Sequence, residues 1–235
     1  MALTYRALAQ LLTYPTADMQ SLAADIARVL SGEGLLRADL IDGVSALARH
    51  LAAADIYDVQ EAYIDLFDRS RSLSLNLYEH VHGESRERGQ AMAALVELYA
   101  SRGLELDARE LPDYLPVFLE FLSTLSQPEA ASLLGEAVHV LEALSQRLGK
   151  RESPYRAVFD ALVALAGVRA EAQVLAALLA EPEDNPDDLD ALDRQWAEQA
   201  VTFGPGEAGC PKAEALVAAM QADEPAPRRA AGGAD

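Results

Sequence analysis

Apolar residues recur every three or four positions along most of this chain, the spacing of one face of an α-helix. Met19, Leu22, Ala23, Ile26 and Leu30 form a first stripe behind Thr16, a residue type that caps helix N-termini. Leu40, Val44, Leu47 and Leu51 form a second, and Ile56, Val59, Tyr63, Leu66 and Phe67 a third, opened by Asp55. Met92, Leu95, Val96 and Tyr99 repeat the spacing, and Gly103 can close that helix in the left-handed conformation. Leu115, Phe118, Leu119 and Leu122 follow, then a heptad-like seam of Leu134, Ala137, Leu141, Leu144 and Leu148 up to Gly149. Ser153 and Pro154 read as cap and first helical residue of a stripe through Tyr155, Val158, Phe159, Leu162 and Leu165. No run alternates with period two. The pattern predicts an all-α chain, a single helical bundle of roughly eight to ten helices whose short connections make neighbours antiparallel.

Composition supports that pattern. Ala and Leu supply 82 of the 235 residues, whereas Ile and Thr, which strands favour, supply four and five. No stretch approaches the roughly 18 uncharged apolar residues of a membrane span. Residues 157–180 come nearest but contain Asp160, Arg169 and Glu171. The opening residues lack the basic start and apolar run of a secretory signal, and a single cysteine, Cys210, can form no internal disulfide. A cytoplasmic protein without direct membrane insertion is expected. The net charge of -19 repels phosphate backbones, so no nucleic-acid partner is expected, and it attracts basic partners.

Two segments break the helical pattern. Between Asp68 and Glu84 the polar residues Ser70, Ser72, Ser74 and Asn76 are scattered without a clean stripe. From Glu181 to Asp193, seven of thirteen residues are acidic and two are Pro, the composition of a solvated linker. The domain plan expected is therefore an all-helical domain over 1–180, then an acidic linker and flexible tail over 181–235. That second part holds the lone Trp196 and a short candidate helix after Pro211.

Candidate chemistry concentrates in the irregular segment. His80 and His82 stand two residues apart. In an extended backbone they point the same way and, with Asp68, Glu79 or Glu84, suit a metal-dependent enzyme; on a helix they diverge and merely pin the loop by hydrogen bonds. Arg69, Arg71, Arg86 and Arg88 form a basic island that either grips a carboxylate or pyrophosphate or pairs internally with Glu79, Glu84, Glu87, Glu110 or Asp113. The run Glu110-Leu-Pro-Asp-Tyr-Leu-Pro116 also has two compatible readings. In one, Asp113 caps the following helix, Leu111 packs as a staple, and Pro112 and Pro116 sit where a missing N–H costs little. In the other, Glu110 and Asp113 flank a groove lined by Phe118, Phe121 and Leu122 that takes an amphipathic, arginine-bearing helix of a partner. No nucleophile elbow, Walker loop or dinucleotide fingerprint is present.

The stretches Tyr63-Ile-Asp-Leu-Phe67-Asp-Arg, Leu77-Tyr-Glu-His-Val-His-Gly-Glu-Ser-Arg86-Glu-Arg-Gly89 and Glu110-Leu-Pro-Asp113 closely resemble the nitrate reductase molybdenum-cofactor assembly chaperones of the NarJ type. These sit within the wider group of redox-enzyme maturation chaperones that also serves trimethylamine-oxide and dimethyl-sulfoxide reductases. The resemblance runs from Leu11-Leu-Thr-Tyr-Pro15 to the Trp196 region, and the Glu-His-Val-His-Gly-Glu-Ser-Arg run carries most of its specificity. It implies an all-helical, non-catalytic chaperone dedicated to one client and with no cofactor of its own, while Arg86 and Arg88 could still hold a pyrophosphate transiently. Such a chaperone binds the N-terminal segment of the nitrate reductase catalytic (alpha) subunit and holds it for molybdenum cofactor insertion before membrane docking. The implied peptide-binding residues are Tyr63, Phe67, Asp68, Leu77, His80, His82, Arg86, Arg88, Glu110, Pro112 and Asp113, to which the groove reading adds Phe118 and Phe121. Relatives often carry His after the Pro-Asp pair, where this chain has Tyr114.

Overall fold

Thr16 and Asp55 start helices as their side chains predict: the Thr16 hydroxyl accepts from the Met19 N–H at 3.2 Å, and the Asp55 carboxylate from the Tyr57 N–H at 2.9 Å. The computed structural model describes residues 2–82, 86–106 and 110–180, the side chains of Ala24, His82 and Arg86 excepted. These residues belong to one compact unit, Met1–Pro186. The linker and tail expected over 181–235, with Trp196, Cys210 and the candidate helix after Pro211, lie outside the described residues.

Among the described residues the fold is all-α: α1 (Leu3–Leu12), α2 (Ala17–Glu33), α3 (Ala38–Ala53), α4 (Ile56–Tyr63), α5 (Leu77–His82), α6 (Arg86–Ser101), α7 (Leu115–Leu122), α8 (Gln127–Glu136), α9 (Val138–Lys150), α10 (Arg156–Ala166) and α11 (Ala172–Ala180). Eleven helices exceed the eight to ten expected, for identifiable reasons. The seam at 134–148 is cut in two at Ala137, whose φ of -91° and ψ of 0° leave the helical region. The irregular segment contains α5. The stripe reading also passes over α1, although Tyr5, Leu8, Leu11 and Leu12 on it are wholly buried. Glu33, thirty residues on, clamps the start of α1 by accepting from the Leu3 and Thr4 N–H groups at 2.6 and 2.8 Å and from the Thr4 hydroxyl at 2.7 Å.

The stripes do form the core. Val44, Leu47, Leu51, Leu134, Leu141, Leu144, Leu148, Val158, Phe159 and Leu162 are all at most 2% exposed, and each large side chain buried this way is worth about 1.5–3 kcal/mol. Among the stripe residues Leu22 and Val96 are exposed, at 51% and 43%, and Leu40, Ile56, Leu66, Met92 and Ala137 are half-buried. α2 lies on α3, α9 on α10, and α1 on both α2 and α7, while α10 also packs against α3 and α8. Gly103 follows α6 with φ +75°, as its position predicts. The Ser153-Pro154 start is displaced by two residues: Ser153 to Tyr155 form a preceding turn, with the Arg156 N–H donating to Ser153 O at 3.2 Å. No helix among the described residues is long and apolar enough to cross a membrane.

Candidate functional site

The third predicted stripe is helical, but α4 changes pitch at its end. Residues Ile64–Asp68 form a π turn in which the Arg69 N–H reaches back to Ile64 O at 3.0 Å, a feature that recurs at functional sites. The turn carries Phe67 inward and leaves Asp68 exposed. Phe67 packs edge-on against Tyr155, centroids 5.1 Å apart, and Tyr63 lies 5.0 Å from Phe67. The Tyr63 hydroxyl donates to Leu12 O at 2.8 Å and meets the Tyr114 hydroxyl at 3.2 Å, so two residues 51 apart close on the end of α1.

The second and third motif stretches are joined through their backbones. The Leu77 N–H donates to Asp113 O at 3.0 Å and the Leu115 N–H to Leu75 O at 2.8 Å, an isolated antiparallel bridge at Asn76 and Tyr114. Asp113 completes the junction, because its Oδ2 accepts from the Tyr78 N–H at 3.0 Å. This corrects both readings of that residue. Asp113 is 0% exposed, caps α5 rather than α7, and does not stand at a groove mouth with Glu110. Burial pushes its carboxyl above the usual range; the Tyr78 N–H and the Arg88 charge oppose that shift. Pro112 is likewise buried, with its carbonyl accepting from the Tyr99 hydroxyl at 2.7 Å. Leu111 is no staple, since it is 46% exposed.

His80 is buried on α5, its Nε2 donating to Ser74 O at 2.8 Å. That bond is the loop-pinning arrangement. His82 follows two residues later on the same helix, about 200° around the axis, so the extended geometry needed for a shared metal is not adopted. No group of three His, Cys, Asp or Glu suited to a metal occurs among the described residues. Within the basic island, Arg69 pairs with Asp65 at 3.0 Å and Arg88 with Glu79 at 3.3 Å.

Among the described residues three concave surfaces adjoin these side chains, and α7 divides two of them. On one side Phe118 lines an apolar cleft of about 660 Å³ with Leu77, His80, Leu95, Val140 and Leu178. On the other side Phe121 lines a groove of about 440 Å³ with Tyr99, Leu104, Leu106 and Val117, rimmed by Glu105, Glu110 and Glu120 together with one basic residue, Arg6. Phe118 and Phe121 therefore do not share a groove, and Leu122 is wholly buried. Glu110 also borders a third, smaller pocket of about 290 Å³ that holds Tyr63, Phe67, Asp68 and Tyr114. Of the thirteen expected residues, eight border these surfaces: Phe121 and Glu110 the groove, Tyr63, Phe67 and Asp68 the small pocket, and Leu77, His80 and Phe118 the larger cleft. Glu105 and Glu120 were missed, although both flank the quoted Glu110 run as acids beside apolar residues.

A sequence model of the nitrate reductase delta subunit family matches residues 33–161, a span that contains every expected site residue. The chain belongs to this family. Within the nitrate reductase delta subunit family it is 40% identical, over 83% of its own length and 82% of the relative's, to the nitrate reductase molybdenum cofactor assembly chaperone NarJ of Escherichia coli K12. It is 44% identical over 66% of each chain to NarW of the same organism, named a probable nitrate reductase molybdenum cofactor assembly chaperone. Both relatives are named as assembly chaperones rather than as enzymes. The fold is also that of a crystal structure from Archaeoglobus fulgidus, described as a redox enzyme maturation protein, with a TM-score of 0.52, 23% identity, and coverage of 72% of this chain and 94% of that one.

Proposed function

We propose that this chain is the dedicated chaperone of a respiratory nitrate reductase. It binds the N-terminal segment of the catalytic subunit in the cytoplasm and holds that subunit for molybdenum cofactor insertion before membrane docking. The observation that carries the peptide-binding part is the groove beside α7, where Tyr99, Leu104, Leu106, Val117 and Phe121 offer an apolar floor inside a rim on which the three carboxylates of Glu105, Glu110 and Glu120 outnumber the single cation of Arg6. An amphipathic helix would lay its apolar face on that floor and its basic residues along the rim. Apolar burial supplies most of the affinity, while the net charge of -19 speeds encounter with a basic segment. While the segment is held, its apolar face is covered and cannot meet a membrane subunit, so occupancy itself sets the order of assembly. The family membership and the names of the Escherichia coli relatives support the cofactor-assembly part.

The test is calorimetry of the full chain with a synthetic peptide of the client's N-terminal residues. Saturable binding with a negative heat-capacity change is expected, and a scrambled peptide of equal charge should bind much more weakly. Val117→Asp, which puts a carboxylate on the floor, should weaken binding by at least roughly tenfold with the helical circular dichroism retained. Equal binding of the scrambled peptide, or full binding by the folded variant, overturns the assignment.

A further inference from the structure

The small pocket beside the groove differs from it in kind: its walls are aromatic. Tyr14, 44% exposed, stands edge-on to Tyr63 with ring planes at 89° and centroids 5.8 Å apart, and Tyr114 joins them through the Tyr63 hydroxyl at 3.2 Å. The Tyr114 hydroxyl also reaches Leu12 O at 3.4 Å, so the phenolic groups of Tyr63 and Tyr114 are bound back to the chain and the rings are fixed as walls. Asp68 and Glu110 both border this pocket. Each lies near enough to Tyr114 for its negative charge to push the Tyr114 hydroxyl further up, beyond what burial does alone. Neither carboxylate is paired with a cation among the described residues, and the nearby Arg69 is committed to Asp65. A pocket of about 290 Å³ with aromatic walls and two carboxylates is therefore uncompensated on its acidic side.

We propose that this pocket seats one arginine side chain of the bound polypeptide, its guanidinium between Asp68 and Glu110 and its stem against Tyr14 and Tyr114. The inference rests on the peptide-binding reading and gives it a register, because Glu110 borders both the pocket and the apolar groove. An arginine is specified over a lysine for two reasons. A planar guanidinium carries five donors and can serve two carboxylates at once, and it stacks on aromatic rings, whereas a strongly hydrated ammonium does neither as well. The tyrosine at 114 extends the aromatic wall that an imidazole would make shorter and more polar.

Nuclear magnetic resonance of the full chain tests the pocket without any client. N-acetyl-arginine amide should shift the ring signals of Tyr14, Tyr63 and Tyr114 saturably in the millimolar range, and its uncharged isostere N-acetyl-citrulline amide should not. Asp68→Asn and Glu110→Gln together should abolish the shifts, while Glu97→Gln, at an exposed position of α6 that lines none of the three surfaces, should leave them. Equal shifts with citrulline, or none with arginine, overturn the pocket whether or not a client peptide binds. Equal shifts with N-acetyl-lysine amide overturn the preference for arginine. In calorimetry with the client peptide, replacing the seated arginine by citrulline should weaken binding roughly tenfold in the native chain and little in the Asp68→Asn, Glu110→Gln variant. A peptide that fails to bind the chain while the arginine probe saturates would sink the peptide reading and leave the pocket standing.

Discussion

Asp113 is buried, ionisable and a cap for a helix that begins thirty-six residues before it, and these three properties can be separated by substitution. Asp113→Ala removes the acceptor of the Tyr78 N–H. Loss of a cap costs about 0.5–2 kcal/mol, and stranding a buried donor raises the cost to about 1–3 kcal/mol. Asp113→Asn keeps a carbonyl oxygen at the same place and relieves the burial of a carboxylate whose Oδ1 has no hydrogen-bond partner, so it should cost less than about 1 kcal/mol. With a urea slope of about 2 kcal/mol per molar, the alanine variant should unfold about 0.5–1.5 M earlier at pH 7. The pH dependence has a definite sign. Because the folded carboxyl is raised above its ordinary value of 3.8, the folded state holds a proton that the unfolded chain releases. The contribution is thus largest below 3.8 and declines as pH rises through the folded value, so Asp113→Asn should flatten that decline. Urea midpoints between pH 3.5 and 7, with amide exchange at residues 77–82, read both effects. An asparagine variant as unstable as the alanine one, or an alanine variant with unchanged midpoint, refutes the reasoning.

The Glu33 clamp on α1 behaves oppositely. Burial tends to raise its carboxyl, but the Thr4 hydroxyl and N–H and the Leu3 N–H outweigh that and hold it below the ordinary 4.5. Its contribution is therefore present above 4.5 and lost as pH falls through the folded value. Glu33→Gln should lose about 1 kcal/mol at pH 7 and be less acid-sensitive than the native chain, both read from thermal melts. Arg147 is 1% exposed and donates to Ser72 O at 2.7 Å and Leu178 O at 2.5 Å, joining the 70–74 segment to α11. Arg147→Ala should cost about 2–3 kcal/mol and raise hydrogen exchange at 172–180, and unchanged exchange there would refute the tether.

Local periodicity made the helices legible because each stripe is a statement about one face, and burial of Leu141, Val158 and Phe159 bears it out. Thr16 and Asp55 were legible because their bonds reach only two or three residues ahead. The same reach was available at Ser126 and Glu129, a reciprocal capping box that was overlooked. What could not be read locally was made by long-range bonds: Glu33 closing α1, Asp113 capping α5, and Arg147 holding α11. A carboxylate that caps a distant helix looks, in sequence, like one that caps the next. The candidate site divided for a related reason. Phe118 and Phe121 are three positions apart on α7, near enough on the helix to suggest one groove, yet neighbours on either side turned them toward different hollows.

The bridge at Asn76 and Tyr114 has an architectural consequence. The chain that carries α5 and α6 starts and ends at this one spot, stapled there by main-chain bonds indifferent to side-chain identity, while Leu77, Leu95 and Tyr99 pack it into the core. Lengthening a loop raises its closure cost only logarithmically, about 0.6 kcal/mol per doubling. Added length within this segment thus costs little in closure and leaves the main-chain junction beside Glu110 in place, with Leu77 and Leu95 still holding one wall of the large cleft against the core.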